Sequence, residues 1–221
     1  MQIKTVITGV FHTNTYILKS GNAVAVIDPA GDVNFLLNEI GVTDFKTSNI
    51  SILLTHGHFD HTSAVADLKE ATDAKVYIHE SDSVMLNDRE KSFATLIPEG
   101  WKPSKADVLL KGGETIKIGD VSLSVMSTPG HSGGSVMYIA KNFGSNSEGV
   151  IFSGDTLFKE TIGRVDGYGG SGEVQKQSLE RIKDISTLDC DYRILPGHGH
   201  ESTLKHEKSN NPYLLGGYFG E

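Results

Sequence analysis

Apolar positions along this chain recur with two different periods, and the elements follow from them. Residues 2–8, 14–19 and 23–27 have the short, half-alternating pattern of strands, with the turn Ser20-Gly21-Asn22 between the second and third. The third, Val24-Ala25-Val26-Ile27, is continuously apolar, as a central strand would be. It ends at Asp28-Pro29-Ala30-Gly31, and a helix is predicted from Val33 to Ile40. Ile50 to Leu54 reads as a buried strand, and a helix starting at Thr62-Ser63 follows it to Leu68. Further strands are predicted at 75–79, 114–118, 121–127, 135–140, 150–153 and 192–195, with Gly119-Asp120 a hairpin turn and Asn142 to Gly149 a loop. Helices are predicted at 172–185 and 203–209. Residues 87–106 have no clear period, yet carry Phe93, Leu96, Ile97 and Trp101 beside Pro98, Gly100 and Pro103. A connection this long is uncommon unless it is a lid or binding loop. It is expected to pack on the domain and wall one side of a cleft. The two halves of the chain share an element order: strands, a polar turn, a helix. The fold class this predicts is α+β, an αββα sandwich of two mixed β-sheets with helices on the outer faces, in one domain over residues 1–221.

Composition narrows the function classes. The formal net charge is −8 and no cluster of Lys or Arg occurs, which argues against a nucleic-acid partner. No apolar window is long enough to span a bilayer, and Met1-Gln2-Ile3-Lys4 opens no signal-peptide core. The expectation is a soluble, cytoplasmic protein acting on a small molecule. The single cysteine, Cys190, excludes an internal disulfide. Its neighbours Asp189 and Asp191 disfavour a thiolate, so it is read as structural.

The chemistry is concentrated at Thr55-His56-Gly57-His58-Phe59-Asp60-His61, directly after the strand at 50–54. His56 and His58 are two apart, so in extended chain both point to one side and can hold one metal. Asp60 and His61 diverge from that direction and can serve a second metal. Imidazole with carboxylate is the usual ligand set of zinc, iron and manganese. The same device recurs along the chain, a strand, a glycine turn and then a metal-ligating side chain, at His131, Asp155 and His198. His79 also ends a strand but has no companion ligand nearby, and is read as structural. Asp28 ends the central strand, where a buried carboxylate needs a partner. It either caps the helix that follows or orients metal ligands from beneath.

The heptad resembles the signature of the metallo-β-lactamase-fold hydrolases. With T-P-G-H-S at 128–132, F-S-G-D-T-L-F at 152–158 and L-P-G-H-G at 195–199, the chain is similar to the glyoxalase II-like branch, in particular its short bacterial members, which also end in an Asn-Pro-Tyr-Leu-like segment, here Asn211 to Leu214. The resemblance implies that His56, His58 and His131 hold one divalent metal. Asp60, His61 and His198 would hold a second, with Asp155 bridging the two and Asp28 beneath them. Zinc is the first expectation for both ions, with iron and manganese as alternatives. Full-length glyoxalase II carries a further C-terminal helical region, for which the residues after His200 are too few. Arg164 falls where that family places a basic contact to glutathione, and it is equally suited to an ion pair with Asp166. Asp166 stands where glyoxalase II has a tyrosine, a Gly-Arg-x-Asp form shared with persulfide dioxygenases. The intact Asp60-His61 pair departs from the β-lactamases, so antibiotic hydrolysis is not the expected native role.

The implied function is dinuclear, metal-dependent hydrolysis of a thioester such as S-lactoylglutathione, by attack of a metal-bridging hydroxide, with Asp60 catalytically essential. The alternative on the same scaffold is an iron-dependent persulfide dioxygenase, using one iron held by two His and one Asp. A non-enzymatic metal-binding scaffold is a third reading.

Overall fold

The computed structural model describes residues 2–41, 49–97, 99–143, 148–186 and 191–217. The chain begins with β1 (Gln2–Thr8), β2 (Thr13–Ser20) and β3 (Ala23–Ile27), followed by α1 (Val33–Ile40). Asp32 caps α1, accepting the Phe35 amide at 2.7 Å, which leaves Asp28 free for other work. β4 (Asn49–Leu53) leads into the short α2 (Phe59–Thr62), then α3 (Val65–Thr72) and β5 (Lys75–His79). Two 3-10 turns (Glu80–Asn87 and Ala94–Leu96) and an extended run reach β6 (Val108–Leu110). The second half contains β7 (Thr115–Ile118), β8 (Val121–Ser127), β9 (Val136–Phe143), β10 (Glu148–Gly154), α4 (Gly172–Lys183), β11 (Tyr192–Pro196), β12 (Ser202–Thr203) and α5 (Leu204–Asn210).

These strands form two six-stranded mixed sheets, ordered β1-β2-β3-β4-β5-β6 and β12-β11-β10-β9-β8-β7. In the first, β1 to β3 are antiparallel and β3 to β6 are parallel. In the second, only β10 and β11 run parallel. The parallel strands β3 and β4 are buried at nearly every position, which is why their sequences are continuous apolar runs rather than alternations.

Alternation along each remaining strand sorts side chains into three layers of core. Tyr16, Leu18, Ala25, Ile27 and Leu53 face Leu123, Val125, Tyr138, Val150 and Phe152 between the sheets. Val24, Val26, Ile50, Ile52, Val76 and Ile78, on the outer face of the first sheet, pack with Ile40, Val65 and Leu68 of the helices. Met137, Ile151 and Ile194, on the outer face of the second, pack with Leu179, Ile182 and Leu204. The αββα sandwich is therefore as the sequence predicts.

Two differences have simple causes. The helix after the heptad begins at Phe59, inside the ligand motif, and is interrupted before α3. Three-residue β6 and two-residue β12 are too short to carry a readable period. Residues 87–106 behave as expected: Phe59, Ala94 and Trp101 form a satellite apolar cluster, with Phe93 and Ile97 packed on it.

Candidate metal centre

Strand ends bring the predicted ligands together. His56 and His58 follow β4, Asp60 and His61 lie in the turn of α2, and His131 follows β8. Asp155 follows β10 and His198 follows β11. Ligand atoms of His56, His58 and His131 lie within 4.8 Å of one another, as do those of Asp60, His61 and His198. Asp155 stands between the two groups. Its Oδ1 is 3.4 Å from His61 Nε2, and its Oδ2 is 3.6 Å from both His131 Nε2 and His198 Nε2. His198 Nε2 is also 3.3 Å from Asp60 Oδ2.

The outer hydrogen bonds decide what the rings present to the centre. His131 Nδ1 donates to the Arg164 carbonyl at 2.6 Å, and His61 Nδ1 donates to Asp28 Oδ2 at 3.0 Å. Thr55 Oγ1 gives its proton to Asp28 Oδ2 at 2.6 Å, so it accepts from His56 Nδ1 at 3.0 Å. A neutral imidazole that donates through Nδ1 turns a lone pair outward at Nε2. His131 Nε2 and His56 Nε2 accordingly face each other at 3.2 Å as two acceptors, and His58 Nδ1 is 2.9 Å from the former. Asp155 Oδ1 is buried without a hydrogen-bond partner among the described residues. Converging lone pairs and an unpartnered buried carboxylate oxygen fit divalent cations, and the nitrogen and oxygen donor set fits zinc, iron or manganese alike.

The two groups differ in charge. Burial holds His56 far below its ordinary pKa and His58 at about 3, reinforced by neighbouring imidazoles. Burial opposes protonation of His61 too, but Asp155, Asp60 and Asp28 outweigh it and push that ring up to about 10. His198 is raised despite burial, through its bond to Asp60 and the nearby Asp155. Asp60 is held well below the carboxylate range: burial would raise it, and His61 and His198 prevail. The Asp60 side therefore calls for positive charge, and the His58 side presents neutral ligands.

Several residues that position the centre have no signal in the sequence. Asp82, fully buried in the first 3-10 turn, accepts the amides of Gly57 at 3.0 Å and Gly134 at 2.7 Å and the Ser132 hydroxyl at 2.6 Å. One carboxylate thus ties the His56–His58 turn to the His131 turn, and burial raises its pKa against those bonds. Asn14 Nδ2 donates to the Pro196 and Gly199 carbonyls at 3.0 and 2.9 Å, and Tyr16 donates to Pro196 at 2.7 Å, fixing the His198 turn. A polar residue alternating within a strand gives no sign that its partner lies over a hundred positions away. Gly57 is required for space rather than for backbone freedom, since a Cβ there would sit 2.7 Å from Met85 Cβ and 2.9 Å from the Asp82 carbonyl. A Cβ at Gly197 would overlap Asp155 Oδ1 and His61.

Asp28 lies beneath the centre, accepting the Thr55 amide at 2.7 Å besides His61 and Thr55 Oγ1. Its φ of 52° is an uncommon conformation for a non-glycine residue, held here by those three bonds. Arg164 touches the centre through its carbonyl, while its guanidinium pairs with Asp166 at 2.6 and 2.9 Å. His79 accepts the Ser81 amide at 3.3 Å and stays outside the clusters. Cys190 lies outside the described residues. The centre opens into a cavity of about 610 Å³ walled by Phe11, Phe59, Phe93, Leu96 and Phe158, so the 87–106 segment does line the cleft.

An αββα sandwich with a His/Asp cluster at one edge of its strands defines a metallo-hydrolase with the makings of a dinuclear site. The chain belongs to the metallo-beta-lactamase superfamily, whose family model matches residues 8–198. The probable metallo-hydrolase YqgX of Bacillus subtilis is 34% identical over 212 residues, covering 94% of this chain and 95% of that protein. The hydroxyacylglutathione hydrolase GloC of Haemophilus influenzae is 30% identical over 199 residues, covering 86% of each. Among solved structures, the BLEG-1 B3 metallo-beta-lactamase is 31% identical with a TM-score of 0.82, covering 96% of this chain and 99% of that one. TTHA1623 in a di-iron-bound form is also 31% identical, with a TM-score of 0.77, covering 96% of this chain and 100% of that one. The likeness to ETHE1 from Myxococcus xanthus, 24% identical with a TM-score of 0.76 over 98% and 85% of the two chains, is one of fold alone. Among the described residues no helix is long and apolar enough to cross a membrane.

Proposed function

We propose that the protein is a dinuclear metal-dependent hydrolase of a thioester. The observation that supports this reading is the meeting of seven side chains, His56, His58, Asp60, His61, His131, Asp155 and His198, around one cavity with Asp155 reaching both groups. His56, His58 and His131 would hold one divalent ion, Asp60, His61 and His198 the other, and Asp155 both. Two such ions, when bound, acidify water near neutral pH and polarise a carbonyl. The chain's own part is to hold the ligand rings by their outer nitrogens through Asp28, Thr55 and the Arg164 carbonyl. It also surrounds the reacting carbonyl with an apolar wall. In the overall reaction water oxygen bonds to the acyl carbon, the carbon–sulfur bond breaks, and the products are a carboxylate and a thiol. A thiolate leaves without a general acid, which suits a wall that offers none beyond the ligand set. The likeness to GloC makes S-lactoylglutathione the first substrate to assay. Thiols are kept reduced in the cytoplasm, where this reading places the enzyme.

The test is metal analysis of the purified protein beside that assay. Two ions per chain with turnover supports the proposal. One iron per chain with oxygen uptake on glutathione persulfide would replace it with the dioxygenase. Cleavage of a β-lactam amide at a rate matching any thioester would change the substrate class.

A further inference from the structure

We infer that this site is built for an uncharged thioester with an aromatic or branched alkyl arm on the thiol side, rather than for a glutathione conjugate. The inference rests on the thioester-hydrolase reading above and deepens it. Five of the residues around the cavity are large and apolar: Phe11, Phe59, Phe93, Leu96 and Phe158. Phe11 and Leu96 stand at the mouth with 48% and 66% of their surface in water, an unfavourable placement that an apolar ligand would relieve. Phe11 meets Phe59 edge-on, with ring centroids 5.4 Å apart, so the two make one continuous apolar wall.

Phe93 supplies an independent sign. Its φ is 62°, a conformation unfavourable for a non-glycine residue that persists only where the surroundings enforce it. That backbone places its ring 5.0 Å from the His58 ring, directly beside the reacting centre. A lining that holds an aromatic ring in place against backbone strain is shaped for contact with an apolar group.

The charges point the same way. The only Lys or Arg among the described lining residues is Arg164. Asp166 grips its guanidinium through two bonds of 2.6 and 2.9 Å, and the guanidinium carbon lies 5.9 Å over the Phe93 ring. Its charge is already matched, so no unpaired Lys or Arg of the wall is left for the two carboxylates of glutathione. Bringing a carboxylate against an apolar wall without a partner is costly. A cavity of about 610 Å³ is of the size that encloses a small ligand of this kind.

The experiment compares two thioesters of one acyl group on the metal-loaded full-length protein: S-lactoylglutathione and the S-lactoyl ester of benzyl mercaptan. The benzyl ester is expected to show kcat/KM at least about tenfold higher, as apolar pockets discriminate on this scale. Leu96→Ala and Phe11→Ala, both at exposed positions, are expected to lower kcat/KM for the benzyl ester about three- to tenfold, raising KM more than they lower kcat. Asp166→Asn, which unpairs the guanidinium, is expected to raise kcat/KM for S-lactoylglutathione about threefold, the scale of an exposed charge contact. Calorimetry supplies a readout without turnover: N-benzyl lactamide is expected to bind and N-lactoylglycine not to bind. Equal or faster hydrolysis of S-lactoylglutathione by the unmodified protein overturns the inference and leaves the hydrolase reading standing. Hydrolysis of neither ester by protein carrying two metal ions overturns both.

Discussion

The two halves of the metal centre are built from the same side chain in opposite surroundings. His56, His58 and His131 are buried among one another, and burial keeps His56 and His58 neutral. His61 and His198 stand beside Asp60 and Asp155, which favour the proton on both, and Asp28 adds to this at His61. The first half thus offers two neutral imidazoles, His56 and His58, that leave a cation its full charge. The second is an anionic pocket that needs a cation to be balanced. The difference lies in what surrounds each ring, and the order of the predictions follows from it.

The largest effect is expected at the residue both halves share. Replacing Asp155 by Ala removes the carboxylate that faces His61, His131 and His198 at 3.4 to 3.6 Å. Turnover is expected to fall on the order of 1,000-fold or more, since electrostatic stabilisation is the largest single catalytic term. Metal analysis of the variant should show fewer than two ions per chain, and two tightly held ions would mean that Asp155 does not join the halves.

Asp60→Ala acts on the anionic half alone. It is expected to reduce hydrolysis on the order of 100-fold or more, with the His56, His58, His131 group still able to take one ion. Its side chain lies at the partly open mouth of the cavity, so the circular dichroism of the metal-free protein should change little, while its melting temperature falls because the carboxylate that offsets the protonated His61 and His198 is gone. Turnover like that of the unmodified protein would remove the second half from the reaction.

How much of this was readable beforehand also divides by region. His56, His58, Asp60, His61, His131, Asp155 and His198 were legible because each lies just past a strand in a glycine-bearing turn or directly after one, and because the fold gathers strand ends at one edge. Both sheets were legible where burial on one or two faces imposes a period. Asp82 was not, because a lone acid after a strand looks like any surface residue until the turn carrying Gly57 and the turn carrying Ser132 and Gly134 close around it. Asn14 was hidden for the same reason, its partners lying in the His198 turn. The Asp28 side chain was legible as a buried carboxylate in need of partners, but its choice between α1 and the metal centre became visible only when Asp32 proved to cap the helix. Sequence period reports burial; it does not report which distant backbone a buried polar atom reaches.

Asp82 offers the next test, now on the neutral half. Asp82→Asn keeps the volume but trades an acceptor for a donor in a place where three donors converge. The His56–His58 and His131 turns should shift apart, weakening metal affinity at the first half about 10- to 100-fold, the usual cost of losing a group that orients ligands. Competition titration with a chromophoric chelator resolves the two ions, and the second half is expected to keep its affinity. An equal loss at both would mean that Asp82 supports the fold at large.

The gentlest probe of the comparison is pH. In the metal-free protein His61 keeps its second proton up to about pH 10, and a metal entering at neutral pH must displace it. Affinity at that half should therefore rise at least about tenfold for each pH unit between neutrality and pH 10, the cost of the His61 proton exchanged. His58, with a pKa of about 3, and His56, held far below its ordinary value, have no proton to give up at neutral pH, so these two ligands should add almost no such dependence. The same proton affects folding. Because the folded pKa of His61 lies above its unfolded value near 6.5, its contribution to the metal-free protein is complete below that pH and is lost as pH rises towards 10. Calorimetry in buffers of different ionisation enthalpy counts the protons released per ion. More protons released by the second ion than by the first is the expected result, whereas equal release by both would show that the two halves do not differ in charge as their surroundings require.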